Sequence, residues 1–498
     1  MTRALLTFLG LAGAPALVAA QSHAVPSPDL AAFHRYVAQS ARDWRVPGLA
    51  VAIVKGDSLV FARGYGVLDI RKPAAVNEHT RFAVGSTTKA MTSAALGMLV
   101  DEGKVRWDDR VIDHVPEFRL HDAYATRETT LRDLVTHRTG VPGTDMLWSL
   151  EPYSMPEMIR RLRFIPPTAS FRAQMQYQNV VYAVAGTVIE RVSGMSWDAF
   201  IRARILGPLQ MTESEPLVAG VDTKPNVAAP HAMIGDSARV VPIRTTDPVA
   251  SAGSVWSSVA DMSKWMRFML DSGRVGTRRL ITPATYAELM APQIRASFSQ
   301  YPALALARPR TFSYALGWFV QEYQGRTIYM HTGSIDGMSA IVGLMPDRRM
   351  GVFVLANLDH AELRHALMYQ AFDLYNGNSP RDWSTELRTL LAPSRRVAAA
   401  SDSGPTARPA PAFALARYAG MYADSAYGNV AVTHDNGVLR ARFRDRDLGP
   451  LTHVQFETFR AKGPPPEELQ SVITFLHDGA GNVTGVRALG VSFARARR

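Results

Sequence analysis

Apolar and polar residues alternate with different periods along the chain, and these periods predict β-strands at both ends of a mainly helical middle. Residues 29–43 repeat apolar side chains at helical spacing. The runs Leu49–Val54 and Leu59–Tyr65 are rich in strand-forming residues and are separated by a polar turn, the pattern of a β-hairpin. From 86 to about 275 the pattern is mainly helical, and 257–270 is its clearest amphipathic helix.

Strand-like runs return after residue 312, in the order FSYALGWFV, RTIYMHTG, SAIVGLMP and MGVFVLAN. A helical pattern at 359–375 follows them. Strands from the two ends can pair in one antiparallel sheet, with terminal helices on one face and the helical insert beside it. The pattern predicts an α+β fold: an α/β sandwich with an antiparallel sheet and a helical insert.

The last quarter of the chain has a different composition. Residues 377–411 are rich in Pro, Ala, Ser and Gly, which predicts a linker with one short helix near 384–392. Short alternating runs then follow, separated by Asp-Asn-Gly and Asp-Gly turns. We therefore expect a first domain at 21–376 and a separate all-β, barrel-like domain at 412–498.

The first residues have the pattern of a secretory signal peptide. Arg3 precedes an apolar run, Ala4–Val18, and small residues stand before Gln21, so cleavage is expected after Ala20. The alternative is a membrane anchor, but the run is short for a span of about 20 apolar residues. The expectation is a secreted or periplasmic protein with a signal peptide at 1–20 and no integral membrane span after cleavage.

Composition and charge exclude several classes of function. The 498 residues are 47% hydrophobic and include no cysteine. Without disulfide bonds, the fold must be stabilised by its hydrophobic core. Thiol nucleophiles and cysteine-ligated metals are excluded. The formal charge is +11, but the basic clusters have no interleaved aromatic residues. We expect no nucleic-acid partner.

Ser86 and Lys89 stand three residues apart at the predicted start of a helix. Residues i and i+3 share a helix face, so the lysine can reach the serine hydroxyl. Burial among the apolar residues that follow would lower the proton affinity of the lysine and make it a plausible base. The alternative is that Ser86 only caps an ordinary core helix.

A second stretch, Gly56-Asp57-Ser58-Leu59, matches the tetrapeptide by which another large group of esterases is named. In those enzymes the serine follows a strand and opens onto a helix. Here Ser58 lies in or beside the predicted hairpin turn, which favours a structural turn over a nucleophile.

Four motifs occur in an order typical of one superfamily. The stretch FAVGSTTKAMTSAALGMLV around Ser86 is followed by LRDLVTHRTGVP at 131–142, then by Tyr177-x-Asn179 and by His331-Thr332-Gly333. Over roughly residues 30 to 375 the chain resembles the serine β-lactamase and penicillin-binding protein superfamily, specifically its class C β-lactamase, D,D-carboxypeptidase and esterase branch. Its C-terminal strands resemble a lipocalin-like barrel that contributes to oligomerisation or shapes the active-site entrance in some relatives.

The resemblance implies roles for the matched residues. Ser86 would attack a carbonyl and carry the acyl group, while Lys89 and Tyr177 would share the proton transfers, with the formal base left open. Asn179 would hydrogen-bond the substrate amide or support Lys89. Taken singly, Tyr177 could be a buried aromatic residue and Asn179 a helix cap.

The third motif would form the substrate-binding strand, with His331, Thr332, Gly333 and Ser334 beside the substrate. The backbone N–H groups of Ser86 and Ser334 would make the oxyanion hole. Many β-lactamases have lysine in place of His331, and histidine is only partly charged near neutrality. This departure favours peptides, amides or esters over β-lactam antibiotics, although His331 alone could be an ordinary strand residue.

The expected function is an exported serine hydrolase that acts on small peptide, amide or ester substrates through an acyl-enzyme on Ser86, without metal or cofactor. The alternatives are a true β-lactamase or penicillin-sensitive D,D-carboxypeptidase, and a catalytically silent sensor. A homo-oligomer through the C-terminal domain would fit the resemblance. His360, Glu362 and His365 do not have the helical spacing of a zinc motif, so solvated or capping roles are expected for them.

Overall fold

The computed structural model describes residues 28–150, 152–378, 381–403, 409–463 and 470–496. The predicted signal peptide at 1–20 lies outside these residues. Within the described ranges, no helix has the length and apolar character that crossing a membrane requires.

The helices lie mainly between the two groups of strands, as predicted. In chain order they are α1 (Leu30–Asp43), α2 (Thr88–Asp101), α3 (Val111–His114), α4 (Ala123–Glu128), α5 (Leu131–Leu134), α6 (Met155–Arg161), α7 (Asn179–Ser193), α8 (Trp197–Ile201), α9 (Ala250–Gly253), α10 (Val259–Leu270), α11 (Pro283–Met290), α12 (Ala303–Ala307), α13 (Leu363–Asn376) and α14 (Trp383–Ser403). The predicted amphipathic helix at 257–270 is α10, whose cap, Ser258, accepts a hydrogen bond from the Asp261 amide at 3.1 Å.

The strands of the first domain form one large sheet and three short two-stranded ribbons. They are β1 (Gly48–Lys55), β2 (Ser58–Asp69), β3 (Lys72–Ala75), β4 (Phe82–Ala83), β5 (His231–Ile234), β6 (Ser237–Val240), β7 (Trp256–Ser257), β8 (Arg274–Val275), β9 (Arg278–Arg279), β10 (Ile294–Arg295), β11 (Phe312–Tyr314), β12 (Phe319–Tyr323), β13 (Arg326–Ile335), β14 (Met338–Met345) and β15 (Met350–Ala356). The large sheet has the order β10-β11-β12-β13-β14-β15-β1-β2-β3, so β1 from the start of the first domain pairs antiparallel with β15 near the end of that domain. The predicted α+β fold is confirmed.

The hairpin between β1 and β2 excludes the esterase interpretation of Gly56-Asp57-Ser58-Leu59. Lys55 pairs with Ser58, and Gly56 has a φ of +60°, as a tight turn between two strands requires. Ser58 therefore begins a strand with an exposed side chain and does not open onto a helix.

The C-terminal strands close on themselves. Strands β16 (Gly420–Asp424), β17 (Gly428–Asp435), β18 (Val438–Phe443), β19 (Arg446–Gln455), β20 (Thr458–Lys462), β21 (Gln470–His477), β22 (Val483–Ala488) and β23 (Val491–Arg495) form a closed antiparallel barrel in that order. Buried aromatic residues, among them Tyr418, Tyr422 and Phe475, fill its interior. The predicted barrel-like domain is confirmed.

The segment predicted as a linker contains a longer helix than expected. α14 runs from Trp383 to Ser403 and continues past Pro393, a residue that usually ends a helix. Trp383 is fully buried, stacks on Tyr369 at 4.5 Å, and donates a hydrogen bond of 2.6 Å from its indole nitrogen to Asp373. These long-range contacts anchor the start of α14 on the first domain, and local composition did not indicate them.

Candidate active site

Ser86 lies on a single 3₁₀ turn, Gly85–Thr87, that leads directly into α2. α2 is buried on nearly every side, from Thr88 to Leu99. Among the described residues, no side chain caps its first turn, so the capping role considered for Ser86 is not observed. The positive end of the helix dipole points toward the serine and favours developing negative charge there.

Lys89 is completely buried and makes three hydrogen bonds through Nζ. Its Nζ lies 3.0 Å from Oγ of Ser86, 2.7 Å from Oδ1 of Asn179 and 2.8 Å from the carbonyl oxygen of Ala252. Burial lowers the pKa of Lys89 from its ordinary 10.5 to about 7, although the charge of Asp145 raises it in part. Both the ammonium and the neutral amine are therefore populated near neutral pH.

The partners of Lys89 determine where its lone pair points. Nδ2 of Asn179 donates a 2.9 Å hydrogen bond to Oδ1 of Asp145, which leaves the Asn179 amide oxygen facing Lys89. Because this oxygen and the Ala252 carbonyl can only accept, the neutral amine gives both of its hydrogens to them. Its lone pair then faces the third neighbour, the hydroxyl of Ser86.

Tyr177 and Asn179 stand at the start of α7. The cap of that helix is Gln178, whose side chain accepts from the Val180 amide, so Asn179 is free of a capping role. The Tyr177 ring lies 4.8 Å from Nζ of Lys89. Burial raises the pKa of Tyr177 well above its ordinary value, despite a hydrogen bond with Ser86 that acts in the opposite direction. Its hydroxyl therefore keeps its proton.

Two glycines allow the serine turn to contact β13. A Cβ on Gly333 would lie 1.9 Å from the carbonyl oxygen of Val84, and one on Gly85 would lie 2.8 Å from the Ser334 nitrogen. In the described strands, β12 pairs with β13 only as far as Met330. The 331–335 end of β13 thus lies beside the serine turn with one edge unpaired by β12.

His331 is neutral in this structure. Its Nδ1 lies 2.7 Å from the Thr332 carbonyl oxygen, so Nδ1 carries the proton, and Nε2 accepts from the Tyr314 hydroxyl at 3.0 Å. Burial, reinforced by the charge of Lys89, lowers the pKa of His331 to about 3. The partial charge expected from the sequence is therefore absent near neutrality. The neighbouring Thr332 hydroxyl pairs with Tyr301 at 2.9 Å.

The expectation that Glu362 and His365 are solvated or capping is wrong. His365 is fully buried, and its Nδ1 lies 2.9 Å from Oε2 of Glu362. Burial raises the pKa of Glu362, but the stronger combined effect of His365 and Arg364 holds it well below its ordinary value. No three histidine, aspartate or glutamate side chains form a metal-holding group among the described residues.

Asp145 and Arg364 are site residues that sequence reasoning missed. Oδ1 of Asp145 accepts from both Asn179 and the Trp148 indole, each at 2.9 Å. Arg364 donates to the Gly333 carbonyl and to Ser334 Oγ. Their only sequence signal was position: Asp145 lies in the loop after the 131–142 motif, and Arg364 in the helix after the last strand.

A cavity of about 200 Å³ lies beside this cluster. Its walls include Asp145, Trp148, Asn179, Arg244 and Ser334. The cavity borders both the Asn179 side chain and the Ser334–Ile335 end of β13.

The fold and this cluster define a class of protein, and comparison with known families agrees. Residues 33–375 match the family model described as Beta-lactamase, and residues 404–495 match a domain of unknown function, DUF3471. The chain belongs to the beta-lactamase family, as its motifs predicted.

Two groups of relatives match this chain over different lengths. An unguisins hydrolase, ungD, from Aspergillus violaceofuscus is 29% identical over 433 residues, covering 81% of this chain and 76% of the relative. Protein flp of Staphylococcus aureus is 26% identical over 332 residues, covering 63% of this chain and 60% of the relative.

Two solved structures share the fold. The octameric penicillin-binding protein homologue from Pyrococcus abyssi has a TM-score of 0.63 at 20% identity, over 93% of this chain and 99% of that one. SurE has a TM-score of 0.55 at 21% identity, over 94% of this chain and 99% of its own. At these identities the likeness establishes the fold alone.

Proposed function

We propose that this chain is a serine hydrolase that forms an acyl-enzyme on Ser86 and hydrolyses small peptide, amide or ester substrates. The observation that carries the proposal is the buried Nζ of Lys89, 3.0 Å from Ser86 Oγ, with its other hydrogen bonds made to obligate acceptors. A serine hydroxyl is a weak nucleophile until a base takes its proton. An amine with a pKa of about 7 has enough neutral form at neutral pH to be that base.

In the proposed reaction, Ser86 Oγ forms a bond to the substrate carbonyl carbon as its proton passes to Nζ of Lys89. The carbonyl oxygen becomes an oxyanion, which the N–H groups of Ser86 and Ser334 stabilise. Collapse of this intermediate breaks the bond to the leaving group, which takes a proton from Lys89 through the Tyr177 hydroxyl. Water then attacks the acyl-enzyme by the reverse route, releases the acid and restores Ser86.

Lys89 is the preferred base over Tyr177. The raised pKa of Tyr177 keeps the phenol protonated near neutral pH, so it can relay a proton but has little phenolate to abstract one. The pKa of Lys89, by contrast, lies close to neutrality.

The substrate class is supported by the site and by two relatives. His331 is neutral and buried, so the third motif offers no fixed cation to an antibiotic carboxylate. One relative is named for hydrolysis of unguisins, and SurE has also been solved with D-Leu. These points favour a peptide or amide substrate over a β-lactam. The intact Lys89–Ser86 pair argues against a silent sensor.

Location and assembly remain predictions. The leader-like segment supports a secreted or periplasmic location. The octameric state of the Pyrococcus abyssi homologue supports a homo-oligomer. Its formation through the C-terminal barrel stays a prediction.

Hydrolysis assays on wild type, Ser86→Ala and Ser58→Ala test the proposal, with a D-amino-acid amide, a short-chain ester and a penicillin as substrates. We expect turnover of the amide or ester, at least about a thousandfold lower in Ser86→Ala and unchanged in Ser58→Ala. Turnover of the penicillin alone would instead support a true β-lactamase. Full activity in Ser86→Ala would overturn the proposal.

A further inference from the structure

One segment of the first domain, residues 145–150 and 152–161, contacts both the candidate active site and the C-terminal barrel. At its start, Oδ1 of Asp145 accepts hydrogen bonds from Asn179 and Trp148. A residue later, Met146 packs against the core of the barrel, and so does Leu150. The residue that contacts the active site, Asp145, and the residue that contacts the barrel, Met146, are therefore adjacent in the chain.

The rest of the segment is hydrogen-bonded to the turn of the barrel that joins β16 and β17. Arg161 donates hydrogen bonds to the carbonyl oxygens of Ser425 and Ala426, at 3.0 and 2.9 Å. The Tyr153 hydroxyl donates to the Tyr427 carbonyl oxygen at 3.4 Å. These bonds run from side chains of the first domain to the backbone of the barrel, so they fix the position of the turn itself.

Two guanidinium groups contact the ring of Tyr153. The Cζ atom of Arg161 is 4.0 Å from the centre of its ring, and that of Arg444 from the barrel is 3.5 Å away. Gly428, with a φ of +98°, makes room for the tyrosine, since a Cβ there would lie 2.8 Å from its hydroxyl. The barrel surface is shaped to receive this residue.

We propose that Asp145 is the positioning residue for the Lys89–Asn179 pair, and that the C-terminal barrel keeps Asp145 in place by holding this segment. The inference rests on the proposed function. Asp145 accepts the Asn179 amide N–H and so keeps the amide oxygen turned toward Lys89. Without that hydrogen bond the amide could rotate and present its N–H to Nζ, where the lone pair is needed for Ser86.

The charge of Asp145 adds a second effect. The titratable side chains facing Lys89 are Asp145, Tyr177, Tyr182, His137 and His331. Burial holds the pKa values of both histidines below and of both tyrosines above their ordinary values, so these four stay neutral near pH 7. Asp145 is then the one nearby charge, among the described residues, that raises the pKa of Lys89.

The first test compares Asp145→Asn with the full-length wild type, and with Asp113→Asn at an exposed site as the control. Asp145→Asn removes the charge but keeps an acceptor oxygen, so we expect the acid limb of the kcat/KM profile to move to lower pH. Asp145→Ala also removes the acceptor for the Asn179 N–H, and in that variant kcat should fall about tenfold as well. NMR of ¹³C-lysine-labelled protein reads the Lys89 pKa without any substrate and should give a lower value. An unchanged pKa and an unchanged profile would overturn the inference.

The second test addresses the barrel, with Arg444→Ala as the variant and Arg442→Ala, an exposed neighbour, as its control. Arg444→Ala should shift the acid limb and the Lys89 pKa in the same direction as Asp145→Asn, whereas Arg442→Ala should not. The double variant Asp145→Asn/Arg444→Ala should show no further shift, because the barrel acts through Asp145. A fall in Tm with an unmoved Lys89 pKa would limit the barrel to a structural role.

These outcomes separate the inference from the proposed function. If wild type shows no turnover that depends on Ser86, the proposed function is wrong. The NMR measurement of the Lys89 pKa would still test the inference, because it needs no substrate. If wild type turns over substrate but the Lys89 pKa is unchanged in Asp145→Asn, the inference is wrong and the proposed function stands.

Discussion

Arg364 donates a 2.6 Å hydrogen bond to the carbonyl oxygen of Gly333. The same nitrogen lies 2.8 Å from Oγ of Ser334. The Arg364 side chain of α13 is thus hydrogen-bonded to the part of β13 that would supply one N–H of the oxyanion hole. Arg364 is 3% exposed, and its charge is balanced by Glu362, 2.9 Å away.

Removing this buried cation should destabilise the protein strongly. In Arg364→Ala, the partly buried Glu362 has one partner fewer, and we expect a loss of about 3–5 kcal/mol in the free energy of unfolding. Chemical denaturation measures it. The double variant Arg364→Ala/Glu362→Gln should recover part of the loss, because the uncompensated charge is gone.

The control for that prediction is Arg310→Ala. Arg310 is 87% exposed and 3.6 Å from Glu322, so its loss should cost about 0–1 kcal/mol. Equal losses for Arg310→Ala and Arg364→Ala would contradict the structural account of the buried cluster.

Gly333→Ala should abolish most activity. The new methyl group would lie 1.9 Å from the Val84 carbonyl oxygen, so the serine turn and β13 must separate. We expect a fall in kcat of about a hundredfold or more, since one misplaced oxyanion donor costs that much. Gly479→Ala, where no atom lies within 4 Å of the added carbon, is the matched control and should leave kcat unchanged. Near-normal kcat in Gly333→Ala would refute this packing argument.

The rate of acylation should rise with pH through about 7. Below that pH Lys89 is an ammonium ion that cannot accept the Ser86 proton, and above it the amine is free to do so. The pH dependence of kcat/KM between pH 5 and 9 measures this limb. A profile that is flat through pH 7, or still rising at pH 9, would contradict Lys89 as a base with a pKa of about 7.

Lys89→Met should change how stability depends on pH. Because burial lowers the pKa of Lys89 from 10.5 to about 7, the unfolded chain binds a proton in that interval that the folded protein does not. Wild-type stability therefore gains with rising pH, relative to a variant without the lysine. Thermal unfolding at pH 6 and pH 9 should show Tm of Lys89→Met minus Tm of wild type falling as pH rises. A difference independent of pH would mean that the buried lysine keeps an ordinary pKa.

The parts of the site that are local in sequence could be predicted. Ser86 and Lys89 are one helical turn apart, so spacing alone placed them together, and the order of the later motifs indicated Tyr177 and Asn179. The strand pattern at both ends of the chain likewise indicated one antiparallel sheet.

The missed features depend on long-range contacts. Asp145 meets Asn179 from 34 residues away in a loop with no periodicity, and Arg364 reaches back 31 residues to Gly333. The burial of His365 has the same origin, because tertiary packing overrides local preference there. The neutrality of His331 follows from its burial, which depends on the tertiary packing around β13.

The central claim is that Ser86 carries the acyl group, and intact-mass spectrometry tests it most directly. Wild type, Ser86→Ala and Ser58→Ala would be sampled over time with the amide, the ester and the penicillin, and any adduct mapped by peptide digestion. We predict an acyl adduct on wild type and Ser58→Ala, located on the peptide that contains Ser86, and none on Ser86→Ala. An adduct of equal yield on Ser86→Ala, or turnover through another serine, would contradict the account.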